Sequence, residues 1–279
     1  MSVRIEKENH VWTIIYSRPE VRNGMDPDSA QALMEAFLEF ENDLKSRTAV
    51  LWGEGGNFCS GWDLKYAASL ANEEKFKSEF QSLSFPKNGD PPPRGGLGPT
   101  RLELTKPVIG AIEGAAVAGG MELAMWCDIR VMAETAYLGV YCRRWGITLV
   151  DGGTVRLPRL VGQGKALEIA MTGRKVPADE CYQIGLCERI TPEGQARKIA
   201  EEMANEIARF PQEAVRADRA SIIATHGMSV RQGLEFEWKH GLKAIENEGL
   251  KGAKRFSEGP SRHGDFKKNQ FNILPPKTF

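Results

Sequence analysis

Alternating apolar and polar residues open the chain. Val3 to Ile5 and Val11 to Tyr16 lie on either side of the polar segment Glu6 to His10, which is typical of two strands joined by a hairpin. Between Asp26 and Leu44 the apolar residues recur at helical spacing instead. Asp26 is a candidate cap and Pro27 suits the first helical position, so the pattern predicts a long helix here.

Strand and helix patterns then alternate along the chain. Short apolar runs at Thr48 to Trp52, Pro107 to Ile112 and Ile129 to Ala133 predict buried strands, and glycine-rich turns lead into the helices between them. Alternation of this kind indicates an α/β fold with parallel strands. The segment Lys87 to Thr100 is dense in proline and glycine, and we expect it to be an exposed, mobile loop.

The strand patterns end near Glu193. Helical patterns follow one another from there, at Gln195 to Arg209, Pro211 to His226 and Val230 to Glu248. We therefore divide the chain into an α/β core at residues 1–192 and a helical region at 193–279. The helical region carries more large apolar residues than a short appendage needs, which suggests that it packs onto the core and onto another subunit.

Charge and cysteine content narrow the functional classes. The chain has 37 Lys+Arg and 37 Asp+Glu, so no overall field favours nucleic acid or anionic lipid. No apolar run approaches the roughly 18 residues of a membrane span, and the N-terminus lacks the pattern of a signal peptide. Five widely spread cysteines favour reduced thiols over a disulfide framework or a metal site. We expect a cytoplasmic protein that binds neither nucleic acid nor membrane.

Two glycine-rich turns that lead into helices are the candidate functional elements of the sequence. The free N–H groups of such a turn, aided by the helix dipole, stabilise negative charge. Neither turn matches G-x-G-x-x-G, and the P-loop pattern is absent because Ala166 follows Gly164-Lys165. What remains is a site for an oxyanion or a carboxylate, at which N–H groups from the two turns converge.

The residues of these turns carry a family resemblance. FCSGWDLK at 58–65, KPVIGAIEGAAVAGGMELA at 106–124 with Cys127-Asp128 after it, and DGGTVRL at 151–157 resemble the crotonase (enoyl-CoA hydratase/isomerase) superfamily. Arg22-Asn23 and the segment TGR at 172–174, with Ala178 and Gly185-Leu186 downstream, are similar to the same family. The blocks occur in order over about Val3 to Phe266, and this order makes the resemblance specific.

The resemblance implies a spiral of repeated ββα units, a C-terminal helical trimerisation region and an acyl-CoA thioester as substrate. It also implies that the backbone N–H groups of Trp62 and Gly119 hold the thioester oxygen, so that an enolate forms on it. Glu122, three residues after Gly119, matches one of two glutamates that hold and activate water in hydratases. Without the motif, Glu122 would be read as an acid that favours the first turn of a helix.

The second glutamate of the family pattern is missing. Aligned back from Gly152-Gly153, its position is taken by Cys142. The flanking arginines could lower the pKa of this thiol, or the cysteine could be inert packing. Asp151 is the alternative partner for Glu122, since an acid before this turn reaches the acyl pocket in some family members, but Asp151 could equally cap the following helix.

Weaker matches concern the coenzyme A moiety. Lys65 and Arg22 match positions at which family members contact its adenine and phosphates, and surface charge is the alternative reading. The adjoining Ser60, Gly61, Asp63 and Leu64 belong to the same predicted binding segment. Phe256 and Phe266 resemble aromatic residues that reach a neighbouring subunit's coenzyme A, and core packing explains them equally well.

Three hypotheses follow from the sequence. The first is an acyl-CoA enzyme with hydratase or isomerase chemistry, active as a homotrimer or hexamer, that needs no metal or redox cofactor. The second is another reaction on the same fold, namely thioester hydrolysis, decarboxylation or aromatic acyl-CoA chemistry. The third is a noncatalytic acyl-CoA-binding protein, against which the retained glycine turns and Glu122 argue.

Overall fold

A computed structural model of the protein describes residues 2–70, 72–87 and 90–258. Its strands are Val3–Glu8 (β1), Val11–Tyr16 (β2), Thr48–Gly53 (β3), Val108–Ile112 (β4), Ala115–Val117 (β5), Ile129–Ala133 (β6), Tyr137–Gly139 (β7), Lys175–Pro177 (β8) and Arg189–Thr191 (β9). Short 3₁₀ turns lie at Pro19–Val21, Pro99–Arg101 and Tyr141–Trp145.

The helices alternate with the strands up to β9 and then succeed one another. They are Pro27–Asn42 (α1), Leu64–Ser69 (α2), Glu73–Gln81 (α3), Gly119–Trp126 (α4), Gly153–Val161 (α5), Gln163–Thr172 (α6), Ala178–Gln183 (α7), Ala196–Arg209 (α8), Gln212–Ala224 (α9), Val230–Ala244 (α10) and Leu250–Glu258 (α11). A π-helical turn at Ile245–Gly249 joins α10 to α11.

Two sheets carry the strands. In the larger sheet the order is β1-β2-β3-β4-β6-β9, where β1 and β2 form the predicted antiparallel hairpin and all other neighbours are parallel. In the smaller sheet β7 lies between β5, to which it is parallel, and β8, to which it is antiparallel. The predicted α/β class with mainly parallel strands is confirmed.

The elements form for the reasons that the sequence suggests. At the start of α1 the Asp26 side chain accepts a 2.9 Å hydrogen bond from the Ser29 amide, and Pro27 occupies the first helical position. The buried face of α1 carries Leu33 and Phe37 at helical spacing. Strand β2 is buried along its whole length, as expected for a strand with neighbours on both sides and covered faces.

The chain divides into two compact units, the first ending at Ala204 and the second beginning at Asn205, within α8. The first unit contains both sheets and the glycine turns. The second contains the end of α8 and the helices that follow. Several large apolar side chains of the second unit are exposed, and Val230 at 81% and Ile222 at 76% are the most accessible of them.

Candidate active site

A cavity of about 650 Å³ lies in the first unit. Its lining residues come from stretches that are far apart in sequence: Glu20 to Pro27, Ser60 to Lys65, Glu79 to Arg101, Val117 to Glu122 and Tyr141 to Asp151. Most of the predicted site residues therefore meet around one space.

The two glycine turns touch each other at this cavity. Gly61 has a φ of +92°, and a Cβ added there would lie 2.9 Å from the Gly119 nitrogen. A Cβ at Gly120 would lie 2.0 Å from the Cys59 carbonyl oxygen. Only glycine fits these approaches, because the backbones pass closer than a methyl group allows.

The amides of Trp62 and Gly119 both belong to cavity-lining residues. In the parts of the chain that the structure describes, neither N–H donates a hydrogen bond within the protein. Their neighbours are paired: the Ala118 amide donates to the Gly139 carbonyl over 2.8 Å, and the Asp63 amide donates to the Met25 carbonyl over 2.8 Å. The two donors that the family resemblance implies are thus without a partner in the protein.

Ala118 has a strained backbone immediately before the Gly119 amide. Its φ is +54°, a value that costs a residue with a Cβ about 1 kcal/mol or more. Leu97 packs directly against Gly119, since a Cβ at Gly119 would lie 2.4 Å from Leu97 Cδ2. The position of the Gly119 peptide is therefore fixed from both sides.

Glu122 lies in the first turn of α4 and is almost fully buried, at 2% exposure. Its Oε1 accepts hydrogen bonds of 2.8 Å from the amides of Asp151 and Gly153. Burial, followed by the negative charge of Asp151, raises the pKa of Glu122 to about 7. A carboxyl group with this pKa exchanges a proton readily near neutral pH.

The possibility that Asp151 caps the next helix is wrong. Helix α5 has Gly152 at its N-cap position and no side-chain cap. The Asp151 carboxylate is buried at 2% exposure and instead accepts hydrogen bonds at Oδ1 from the Thr100 hydroxyl and, over 3.3 Å, from the Leu97 amide. Asp151 therefore lies at the cavity as a second acid near Glu122.

Arg156 is a largely buried cation close to both acids. Its Nη1 donates to the Asp151 carbonyl over 2.9 Å, and its Nη2 donates to the Thr100 carbonyl over 2.7 Å. Burial lowers the pKa of Arg156. Through these bonds Arg156 joins the Asp151 turn to a distant segment of the chain.

Cys142 lines the same cavity and is buried. The idea that its flanking arginines activate the thiol is wrong in direction, because burial and the neighbouring Glu122 charge raise its pKa, and Arg143 opposes this only in part. The guanidinium of Arg144 lies 3.8 Å from the centre of the Tyr141 ring. Cys142 is therefore a neutral thiol at neutral pH and not a substitute for a carboxylate.

The segment Lys87 to Thr100 was expected to be an exposed loop, and this expectation is wrong for Gly95 to Thr100. Gly95 and residues 97–100 are buried, and the amides and carbonyls of Gly95 and Gly98 bond to each other in a tight turn. Leu97 and Thr100 contact Gly119 and Asp151 respectively. Sequence reasoning missed both residues, and the density of glycine in this segment was the available signal.

The predicted coenzyme A residues line the mouth of the cavity. Arg22 and Lys65 are exposed cations there, and Ser60 and Leu64 line it beside them. Asp63 serves the fold, because its carboxylate caps α2 and pairs with Arg18 over 3.2 Å. The roles of these residues in binding, together with that of Gly61, stay predictions.

Aromatic residues among the predicted positions lie in two places. The Trp62 ring packs against Phe76 and Phe80 of α3, with ring centres 5.9 and 5.0 Å apart. Phe256 lies in α11 of the second unit and is 57% exposed. Phe266 lies outside the described residues.

The described ranges contain neither a membrane-spanning helix nor a cluster of metal ligands. Within residues 2–70, 72–87 and 90–258, no helix is long and apolar enough to cross a membrane. No group of three or more His, Cys, Asp or Glu side chains in those ranges is arranged to hold a metal ion. All five cysteines are buried and unpaired with each other.

The fold and the site define an α/β protein in which two glycine turns meet, each with one unpaired amide at a cavity that a buried carboxyl group also lines. The sequence matches the enoyl-CoA hydratase/isomerase family over residues 6–86 and 99–269. It is 31% identical to the enoyl-CoA hydratase EchA19 of Mycobacterium tuberculosis over 262 residues, which cover 91% of this chain and 92% of the relative. It is 32% identical to the carnitinyl-CoA dehydratase of Salmonella typhimurium, covering 92% and 95% of the two chains.

Solved structures of enoyl-CoA hydratases support the same family assignment. The crystal structure of the enoyl-CoA hydratase from Bacillus anthracis superposes with a TM-score of 0.82 at 30% identity, covering 92% of this chain and 96% of that one. The chain therefore belongs to the enoyl-CoA hydratase/isomerase family and has the crotonase fold. It is an acyl-CoA enzyme of that family.

Proposed function

We propose that the enzyme forms a thioester enolate, with the Trp62 and Gly119 amides holding the thioester oxygen and Glu122 moving a proton at C2. The observation that supports this most is that two unpaired amides, on turns that contact each other, line one cavity together with a buried carboxyl group. Two donors aimed at the oxygen stabilise it most when it becomes negative, and each is worth about 3 kcal/mol at the transition state.

Glu122 supports the proton step by its position and its pKa. It lies one helical turn from Gly119, so a thioester held at Gly119 places C2 within reach of its carboxyl group. Because its pKa is about 7, both the base and the acid form are present at neutral pH. The backbone donors carry the enolate charge, so this step needs no metal or redox cofactor.

We further propose double-bond isomerisation as the preferred reaction. Cys142, a neutral buried thiol, stands where a hydratase has its second glutamate, whereas Asp151 supplies a second acid at the cavity. In this reaction Glu122 breaks the C2–H bond of a 3-enoyl-CoA and the electrons pass into the enolate. They then return to form the C2–C3 double bond while Asp151 in its protonated form delivers a proton to C4, and the proton that Glu122 has taken is returned to Asp151 to complete the cycle.

Hydration, thioester hydrolysis and decarboxylation are the other candidate reactions of this site. Hydration is supported by relatives that are named hydratases and dehydratases. Hydrolysis and decarboxylation rest on the missing second glutamate alone. A noncatalytic acyl-CoA-binding protein would retain the fold but would have no reason to keep two amides unpaired beside Glu122.

Further parts of the proposal concern binding and assembly. Arg22 and Lys65 are exposed cations at the cavity mouth, and cations there suit the phosphates of coenzyme A. The exposed apolar residues of the second unit support a homotrimer or a dimer of trimers. A cytoplasmic location fits five unpaired cysteines.

Deuterium uptake at C2 of a saturated acyl-CoA in D₂O tests the enolate directly. The wild type should exchange C2 hydrogens, and Glu122→Gln should lose about 10² to 10⁴ in rate while binding the acyl-CoA as well as before. Absence of exchange by a wild type that binds the ligand would refute the enolate. Equal exchange by the variant would remove Glu122 from the mechanism.

Turnover of a matched 2-enoyl-CoA and 3-enoyl-CoA, followed by mass spectrometry, separates the candidate reactions. We expect the 3-enoyl-CoA to be converted fastest. Asp151→Asn should lose this conversion and keep C2 exchange, because the amide cannot deliver the proton to C4. Release of free coenzyme A or of CO₂ would point to hydrolysis or decarboxylation instead.

A further inference from the structure

We propose that Thr100 is a positioning residue for Asp151, and that it fixes the carboxylate that delivers the second proton. The inference rests on the proposed isomerisation. It concerns the Gly95–Thr100 segment, which lies outside the sequence blocks that carry the family resemblance.

The hydroxyl of Thr100 is buried and bonded to a single carboxylate. Thr100 is 1% exposed, and its Oγ1 donates to Asp151 Oδ1. The Leu97 amide donates to the same oxygen over 3.3 Å. Both hydrogen bonds thus end on Oδ1, which leaves Oδ2 as the oxygen to exchange a proton with substrate.

The glycines of the segment let its backbone pack against the carboxylate. A Cβ at Gly95 would lie 1.9 Å from Thr100 Oγ1 and 2.4 Å from Asp151 Oδ1. A Cβ at Gly96 would lie 2.9 Å from Asp151 Oδ2. The glycines thus allow the segment to lie directly on the carboxylate, and a side chain at Gly95 would displace Thr100 or Asp151.

Arg156 fixes the backbones of the two partners. Its guanidinium bonds the carbonyl of Asp151 over 2.9 Å and that of Thr100 over 2.7 Å. Because the side chains are bonded to each other and the carbonyls share one guanidinium, Thr100 and Asp151 are joined at two points. This arrangement restrains the acid to the geometry that proton delivery requires.

The test separates the two proton transfers. Thr100→Val removes the hydroxyl at nearly constant volume, Thr100→Ser retains it, and Thr100→Cys retains a weak donor. Each variant is assayed for C2 exchange, which reports on Glu122 and the two amides, and for conversion of the 3-enoyl-CoA, which also needs Asp151.

We expect Thr100→Val to lower kcat for isomerisation by about 10 to 10²-fold, with KM and C2 exchange unchanged. Thr100→Ser should restore most of the rate, and Thr100→Cys should fall between serine and valine. If the valine variant does not fold, the isomerisation rates of the wild type, Thr100→Ser and Thr100→Cys, expected to decrease in that order, still test the role of donor strength.

Thr13→Val is the matched control. Thr13 is also buried, at 5% exposure, and its hydroxyl donates a 2.8 Å hydrogen bond to the Glu201 carboxylate. Neither residue lines the cavity. Its loss should change unfolding and leave isomerisation alone.

Three outcomes would overturn the inference. Thr100→Val could isomerise the substrate at the wild-type rate, Thr100→Ser could lose as much isomerase activity as Thr100→Val, or C2 exchange could fall in parallel with isomerisation. Absence of C2 exchange in the wild type would instead refute the proposed function, so the two failures are distinguishable.

Discussion

The backbone amide of Asp151 donates a 2.8 Å hydrogen bond to Oε1 of Glu122, 29 residues earlier in the chain. The backbone of one acid therefore orients the side chain of the other. At the same time the Asp151 carboxylate raises the pKa of Glu122 by its charge. The two acids are thus coupled by geometry and by electrostatics, and Asp151→Asn should lower the pH at which Glu122 begins to exchange C2 hydrogens without abolishing that exchange.

Proton abstraction should follow the ionisation of Glu122. Since only the carboxylate form accepts a proton, the rate of C2 exchange should rise with pH through about 7 and then level off. Exchange rates measured across this range test the assignment. A profile that is flat around neutral pH would contradict it.

The same pKa affects stability. Burial raises the pKa of Glu122 from 4.5 to about 7, so the folded state holds a proton that the unfolded state has released. The free energy of unfolding should therefore fall as pH rises through this window, by about 3 kcal/mol over its full width.

Urea unfolding of the wild type and of Glu122→Gln at about pH 5 and about pH 8 tests this linkage. The wild type should lose stability between the two conditions, and most of that loss should be missing in the variant. An identical pH dependence in both proteins would show that other groups cause it.

Gly61→Ala should separate the two proposed donors. The new Cβ would lie 2.9 Å from both the Gly119 nitrogen and the Ala118 Cβ, so the turns must move apart and the rate of C2 exchange should fall by about 10²-fold. Gly56→Ala is the control, because Gly56 has a φ of +80° with nothing within 4 Å of its added Cβ.

Both alanine variants share the cost of a positive φ, about 1 to 2 kcal/mol. Both melting temperatures should therefore fall, that of Gly61→Ala further because its Cβ also clashes, and only Gly61→Ala should lose exchange. Full activity of Gly61→Ala would mean that close contact of the turns is not required.

Cys142 should be dispensable for isomerisation. Its pKa is raised by burial and by Glu122, so the thiol is protonated and Cys142→Ala should keep the isomerisation rate within about threefold. Wild-type hydration of crotonyl-CoA should be slow. Cys142→Glu should raise it if the larger side chain is accommodated, because a carboxylate there would restore the family's second water-binding group.

Rates of hydration and isomerisation measured on the same three proteins test these expectations. Fast hydration by the wild type would contradict the proposed preference for isomerisation. A large loss of isomerisation in Cys142→Ala would give the thiol a role that its raised pKa does not explain.

Association should cover the apolar side chains of the second unit. Among them Trp238 is 65% exposed and Leu250 is 67% exposed, and burial of such residues between subunits would stabilise a trimer or a dimer of trimers. Sedimentation velocity at micromolar concentration measures the assembly. A stable, active monomer would refute the expectation.

Sequence patterns were sufficient for the elements whose signals are local. The hairpin of β1 and β2 follows from alternation, and α1 follows from Asp26 and Pro27 at its start. The meeting of the two glycine turns also follows from sequence through the family resemblance. In each case the residues that define the feature are close together in the chain or belong to a recognised block.

Features that depend on distant contacts could not be predicted in this way. The residues that bond the Asp151 carboxylate lie 51 and 54 positions before it, in a segment without periodicity. Asp151 consequently resembled a helix cap, and the flanking charges of Cys142 suggested a lower pKa although burial decides the direction. Composition does not reveal which side chains are buried together.

The bonds of Arg156 also bear on how activity is gained during folding. Its guanidinium bonds the carbonyl of Thr100, which lies 56 residues before Arg156, and contacts of such separation form only after a large loop has closed. Helices α4 and α5 can acquire their local structure before that closure. When the denatured protein is refolded, isomerase activity should therefore return no earlier than these long-range contacts, and later than the far-ultraviolet signal of the helices.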